Sequence, residues 1–178
     1  IFAVTFYAKP RIKTAIKHLP ISKALSGRYN MKYVLFEEPI NRDILGCWEK
    51  HMWSYTKIIG YSATGTLFLM SPDTMEFMVF YPSMSISGSN CKGYGVFDTI
   101  QDFEETILKD DGFEEYLLYP IDPDDLNILQ NRLGPLDKNQ VYYPKLDPAL
   151  GGSLELEGFD KGDIWVRTEI LGMNRGVE

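Results

Sequence analysis

Only two cysteines and two histidines occur among the 178 residues, and no long apolar run does. Cys47 and Cys91 are too few for a disulfide scaffold and lack Cys-x-x-Cys spacing, so a reducing cytoplasm is the expected compartment. No stretch approaches the roughly 20 apolar residues that cross a bilayer, and the opening IFAVTFYA runs into Lys9, Pro10 and Arg11 instead of a small-residue cleavage site. No membrane partner is expected. The first residue is Ile, which fits a start lying upstream. G-x-S-x-G, H-E-x-x-H and G-x-G-x-x-G are missing, which removes the common hydrolase, protease and dinucleotide signatures. In GSNCKG, residues 88–93, the lysine precedes the second glycine and no Ser or Thr follows, so this is not a phosphate loop. Asp122, Asp124 and Asp125 begin like a calcium loop, but Leu126 and Ile128 stand where such a loop needs oxygen ligands and flexible turns.

What is present is a chain able to fold. Its residues are 44% hydrophobic and 13% aromatic, enough for one globular domain or two small ones that bury roughly 70% of the extended-chain surface. The net charge of −7 argues against bulk nucleic-acid binding, which needs clustered Lys and Arg. Its distribution is uneven. Residues 1–57 carry ten Lys/Arg against four Asp/Glu, and residues 58–178 carry eight against twenty-one. Within the second part, Asp98 to Asp125 holds eleven acids and one base, Lys109. Such a block repels itself, and a cationic partner would relieve that repulsion. The basic opening with its interleaved tyrosines reads more simply as surface docked on the acidic half than as a nucleic-acid site.

The pattern predicts an α+β fold in two parts: an N-terminal helical region over 1–57, and 58–178 as a small antiparallel sheet packed with C-terminal helices. Pro10 opens a helix to about residue 19, with Ile12, Ala15, Ile16 and Leu19 at helical spacing. Tyr33 to Phe36 fits either helix or strand. Asn41 caps a second helix with Ile44, Leu45, Trp48 and Met52 on its apolar face, ending near Tyr55. Aromatic and branched runs separated by Gly65 and Ser71-Pro72-Asp73 read as strands at about 58–62, 66–70 and 76–81. SMSISGSNCKGYG, from residue 83, reads as loop or irregular edge. From Asp98 to Gly112 a helix should bury Ile100, Phe103, Ile107 and Leu108 and turn its acids to solvent. Asp122 caps another, with Leu126, Leu129 and Leu133 inward and Gly134-Pro135 as its stop. Residues 134–152 should form an ordered non-helical connection with Gly151 or Gly152 at positive φ, and Ile164 to Leu171 a last helix.

Two features could carry chemistry. Cys47 and His51, four apart, would share one helix face as a metal half-site or a thiol-imidazole pair; their neighbours Leu45, Trp48 and Met52 favour plain packing. The pairs Glu104-Glu105, Asp110-Asp111 and Glu114-Glu115 could serve as acid and base, but an acid-base site needs two different environments and these look alike. No catalytic residue, metal or cofactor is assigned, and no enzyme activity is expected.

The stretch LGPLDKNQVYYPKLDPALGGS, residues 133–153, resembles a segment, LGpL…(D/N)-(E/Q)-(V/I)-Y…PALxLGG, in the C-terminal domain of type VI secretion immunity proteins. That family pairs a GAD-related region with a domain of unknown function and neutralises a co-encoded DNase effector. IIGYSATGTLFLMSPDT resembles its hairpin and FDTIQDFEETIL its following helix, so the likeness spans about residues 58–172. It rests most on Pro148, Ala149, Leu150, Gly151 and Gly152, with Leu133, Gly134, Gln140 and Tyr142. The PALGG turn is two residues shorter than the family's usual form, and residues 1–57 match the GAD-related region only through DILGCWEKHMW. The resemblance implies a cytoplasmic antitoxin whose working part is a surface that binds a nuclease protein. The acids would steer association. Asp102, Glu105, Asp110, Asp111 and Glu114 are the acidic candidates for that surface, and Tyr116, Tyr119, Tyr142 and Tyr143 the candidate anchors. The alternatives are a non-enzymatic scaffold or regulatory module, and a small metal-dependent hydrolase built on Cys47, His51 and a carboxylate.

Overall fold

A computed structural model describes residues 27–29, 31–84 and 90–177. The helix expected over residues 10–19 lies outside them. An antiparallel meander of six strands forms the centre: β1 (Gly27–Tyr29), β2 (Tyr33–Asn41), β3 (Lys57–Ser62), β4 (Leu67–Ser71), β5 (Glu76–Phe80) and β6 (Cys91–Val96), each paired with the next. A separate hairpin pairs β7 (Gln140–Pro144) with β8 (Phe159–Asp163). With the helices described below, the fold is α+β.

Tight turns explain the central hairpins. Gly65 takes φ +91° between β3 and β4, where the Ser62 hydroxyl accepts the Thr64 and Thr66 amides. Pro72-Asp73 turns β4 into β5 in the register Leu69↔Met78 and Met70↔Phe77. These strands are buried on both faces, so their sequences are nearly continuously apolar rather than alternating. A bulge at Ile59 shifts the phase of β3, since Ile58 pairs with Leu69 while Gly60 pairs with Phe68, so Ile58 and Tyr61, three apart, join the same core. Gly60 is required there: a Cβ would sit 2.1 Å from the Val34 carbonyl oxygen.

One face packs against α1 (Ile100–Phe103), α2 (Glu114–Leu117) and α3 (Asp125–Leu133), which contribute Phe103, Leu117, Leu126 and Leu129 to a core with Phe68, Phe77 and Val79. Phe103 stacks on Phe77 with centroids 4.8 Å apart. The other face is covered by a 3-10 segment, Arg42–His51, and by α4 (Ile164–Asn174). Trp48 meets Phe80 edge-on at 4.9 Å and donates its indole N–H to the Thr168 carbonyl at 2.9 Å.

Several expectations are corrected. Tyr33 to Phe36, open between helix and strand in the sequence, is strand, and β2 pairs with β3 across the boundary drawn between residues 57 and 58, so the sheet does not divide there. The described part of 1–57 holds two strands and one 3-10 segment, not a run of α-helices. The second helix is that 3-10 segment, broken where Gly46 adopts φ 59°, ψ −121°; Leu45, Trp48 and Met52 are nonetheless buried. Cys91–Val96, read as loop, is an edge strand whose two glycines and exposed side chains leave no apolar alternation to detect. The helix expected over 98–112 is α1 followed by a π turn, Glu104–Leu108, and the wider turn shifts the helical phase. Phe103, Glu104 and Leu108 consequently point inward. Asp122 caps a turn ahead of α3 by accepting the Asp124 amide, and α3 starts at Asp125. Leu126 and Leu129 are buried as expected, Leu133 and Ile107 are half-buried, and Gly134 ends the helix at φ 80°. Residues 134–152 are ordered but carry β7 and a 3-10 turn, Pro148–Leu150.

Candidate functional site

The acidic segment folds into short helices because Gly112, Pro120 and Pro123 interrupt it. Thr99 caps α1: its hydroxyl oxygen accepts the Asp102 amide at 3.0 Å, and its O–H donates to the Asp102 carboxylate at 2.7 Å. Glu105 is exposed and ion-paired with Lys109 one turn on, at 2.5 Å. Asp110 and Asp111 are exposed at the following turn. Glu114 is half-buried and receives Lys32 at 2.6 Å. Tyr116 is 52% exposed, with its ring parallel to that of Phe113 and the Lys92 ammonium 5.4 Å from its centroid; Tyr119 is 39% exposed. These seven candidates belong to one stretch, residues 102–119, and reach solvent.

Two candidates and one acidic group sit differently from these seven. Tyr142 is 2% exposed and spends its hydroxyl on the Gly134 carbonyl at 2.7 Å, so it is a core residue that pins the end of α3. Tyr143 is half-buried, with the Arg167 guanidinium 4.9 Å from its ring centroid, so one ring face is already occupied. Neither sits in the acidic stretch. Glu104 does not share the solvated face of Glu105: it is 5% exposed, and its Oε1 accepts the Tyr33 hydroxyl at 2.8 Å, tying the π turn to β2.

The thiols are poorly placed for nucleophilic work. Burial, then the negative Glu169, raises the Cys47 pKa, and burial pushes Cys91 up to about 11, so both stay protonated at neutral pH. Among the described residues, no group of three or more His, Cys, Asp or Glu side chains is placed to hold a metal ion. Among the same residues no helix is long and apolar enough to cross a membrane.

The DPALGG stretch has a structural explanation. Asp147, 2% exposed, caps the Pro148–Leu150 turn by accepting the Ala149 amide, and Gly151 closes it at φ 88°. Gly152 is fixed by space: a Cβ there would lie 1.9 Å from the Leu146 carbonyl oxygen. Gly152→Ala should therefore destabilise the protein by about 1–3 kcal/mol, whereas Gly151→Ala, with open space around it, should cost about 1–2 kcal/mol from the left-handed backbone alone. Urea unfolding of the two variants checks both, and wild-type stability at either position would refute the assignment for that position.

The sequence matches no family model and no curated protein. A solved structure, that of Atu4351 from Agrobacterium tumefaciens, is similar at 17% identity over 80% of this chain and 70% of that one, with a TM-score of 0.48. A likeness so loose carries no argument about function.

Proposed function

We propose that this chain is an immunity protein that binds and inhibits a cognate secreted DNase-type toxin in the bacterial cytoplasm. The observation that carries the reading is the stretch 102–119, where Asp102, Glu105, Asp110 and Asp111 are solvent-exposed beside the exposed rings of Tyr116 and Tyr119. A nuclease presents cations to hold phosphate. An acidic surface with aromatic anchors answers that chemistry as a protein partner rather than as a substrate. The resemblance over residues 58–172 supports the same reading.

The test is inhibition. Purified protein added in equal amount to the nuclease encoded beside its gene should abolish DNA cleavage, and DNA cutting that continues unchanged would refute the proposal. Association should also be salt-sensitive, because screening shortens the field to about 8 Å at physiological ionic strength. Glu105→Lys, Asp110→Lys and Asp111→Lys together should slow association by on the order of tenfold. Stopped-flow rates at low and high salt measure this, and Tyr116→Ala should act instead on dissociation.

A further inference from the structure

Arg167 is a cation without a matching acid among the described residues. It stands in the first turn of α4, half-buried, with its guanidinium 4.9 Å from the Tyr143 ring centroid. Its Nε is buried and, among the described residues, has no hydrogen-bond partner, and no carboxylate there forms an ion pair with it. Two acids could have done so, and both are committed elsewhere. Asp163, one turn earlier in the chain, accepts the Trp165 and Val166 amides and so caps the helix. Asp147, whose charge acts on Arg167, gives both oxygens to Arg175 and takes further bonds from Asn174 and the Ala149 amide. Two guanidinium groups thus share one carboxylate, which leaves a positive charge over.

That arrangement is costly without a ligand. A half-buried cation gives up hydration and gains no counter-charge in return, and the first turn of a helix, where the backbone dipole is positive, is the unfavourable end for it. A bound anion would offset both.

The cleft beside Arg167 has the chemistry to take one. It lies between α4, the turn from β3 to β4, and β7, with about 20 Å³ of free space, room for one ligand oxygen but not for a ring or a base. Besides Arg167, its polar side chains are the hydroxyls of Thr64, Ser83, Tyr143 and Thr168, and its lining holds no carboxylate. Hydroxyls can donate to an anion, and a guanidinium takes an oxyanion through two N–H groups. A cation would meet no opposite charge there.

We propose that this cleft binds a small oxyanion, the phosphate or carboxylate group of a ligand, with one oxygen in the cleft and its charge against the Arg167 guanidinium.

NMR titration of the nitrogen-labelled full chain, with chloride holding the ionic strength constant, tests the site. Inorganic phosphate should move the Arg167 Nε–H signal and the Thr168 amide saturably, and acetate, with one charge against nearly two at neutral pH, should bind more weakly. Saturation by either probe supports the site, and the tighter one tells phosphate from carboxylate. Arg167→Met keeps an apolar stem on Tyr143 and removes the charge. It should weaken phosphate binding, read at the Thr168 amide, by about tenfold or more, and it should unfold at the same urea concentration as wild type or higher, because the uncompensated cation is gone. Arg167→Lys should weaken binding about fivefold, since an ammonium lacks the two-pronged geometry. Failure of both probes to saturate, or an unchanged phosphate response in Arg167→Met, would overturn the proposal. So would a marked loss of stability in Arg167→Met without phosphate, which would make the guanidinium a structural cation satisfied by Tyr143. The assay contains no nuclease, so its outcome is separate from that of the inhibition test.

Discussion

Arg175→Ala should lower the unfolding free energy by about 3–5 kcal/mol, the usual cost of stranding one half of a buried ion pair. The Arg175 and Asp147 side chains are 8% and 1% exposed and meet at 2.7 Å. The guanidinium also donates to the carbonyls of Ser83, Met84 and Leu171, so one side chain joins the end of β5's exit, the DPALGG turn and the last turn of α4. Asn174 adds a bond to the same carboxylate at 3.3 Å. Arg175→Lys should recover only part of the loss, because an ammonium cannot span a carboxylate and three carbonyls at once.

The pH dependence follows from Asp147. Burial raises its pKa, but the hydrogen bonds from Arg175, the Ala149 amide and Asn174, with the charge of Arg175, outweigh burial and hold it below the ordinary value of 3.8. A group with a lowered folded pKa stabilises fully above its unfolded value, and that contribution is lost as pH falls through the folded one. The gap between wild type and Arg175→Ala should thus be widest from pH 5 upward and narrow below about pH 4. Chemical denaturation at pH 7 and pH 3 measures it. A gap under about 1 kcal/mol at pH 7 would place the pair among the weak surface bridges.

Legibility in the sequence varied with the range of the interaction. The hairpins of β3, β4 and β5 were readable because their turn residues and apolar runs are local, and α3 because its leucines repeat at helical spacing before Gly134. β6 was not, since an edge strand with exposed side chains resembles a loop. The inward turn of Glu104 depends on a π turn and on Tyr33, 71 residues away, neither of which has a local sign. Tyr142 and Tyr143 looked alike in sequence, yet β7 alternation sends one to the core and the other toward Arg167.

Gly172→Ala should cost about 2–4 kcal/mol, from overpacking together with the loss of one buried hydrogen bond. Gly172 is on the face of α4 that meets the 3-10 segment, and a Cβ there would lie 2.3 Å from Cys47 Sγ and 2.7 Å from Trp48 Nε1. Neither neighbour can yield cheaply. The Trp48 ring is 1% exposed, is packed on Phe80 and donates to the Thr168 carbonyl, while Cys47 lies on a segment already kinked at Gly46. The added methyl therefore pushes α4 off the sheet face or breaks the indole bond. Cys47→Ala removes the nearer obstacle, so Gly172→Ala combined with Cys47→Ala should be more stable than the sum of the two single changes predicts, by about 0.5–3 kcal/mol. Strict additivity in that cycle would show that the cost comes from Trp48 alone. Near-native stability of Gly172→Ala itself would show that α4 is not seated on the 3-10 segment at this distance.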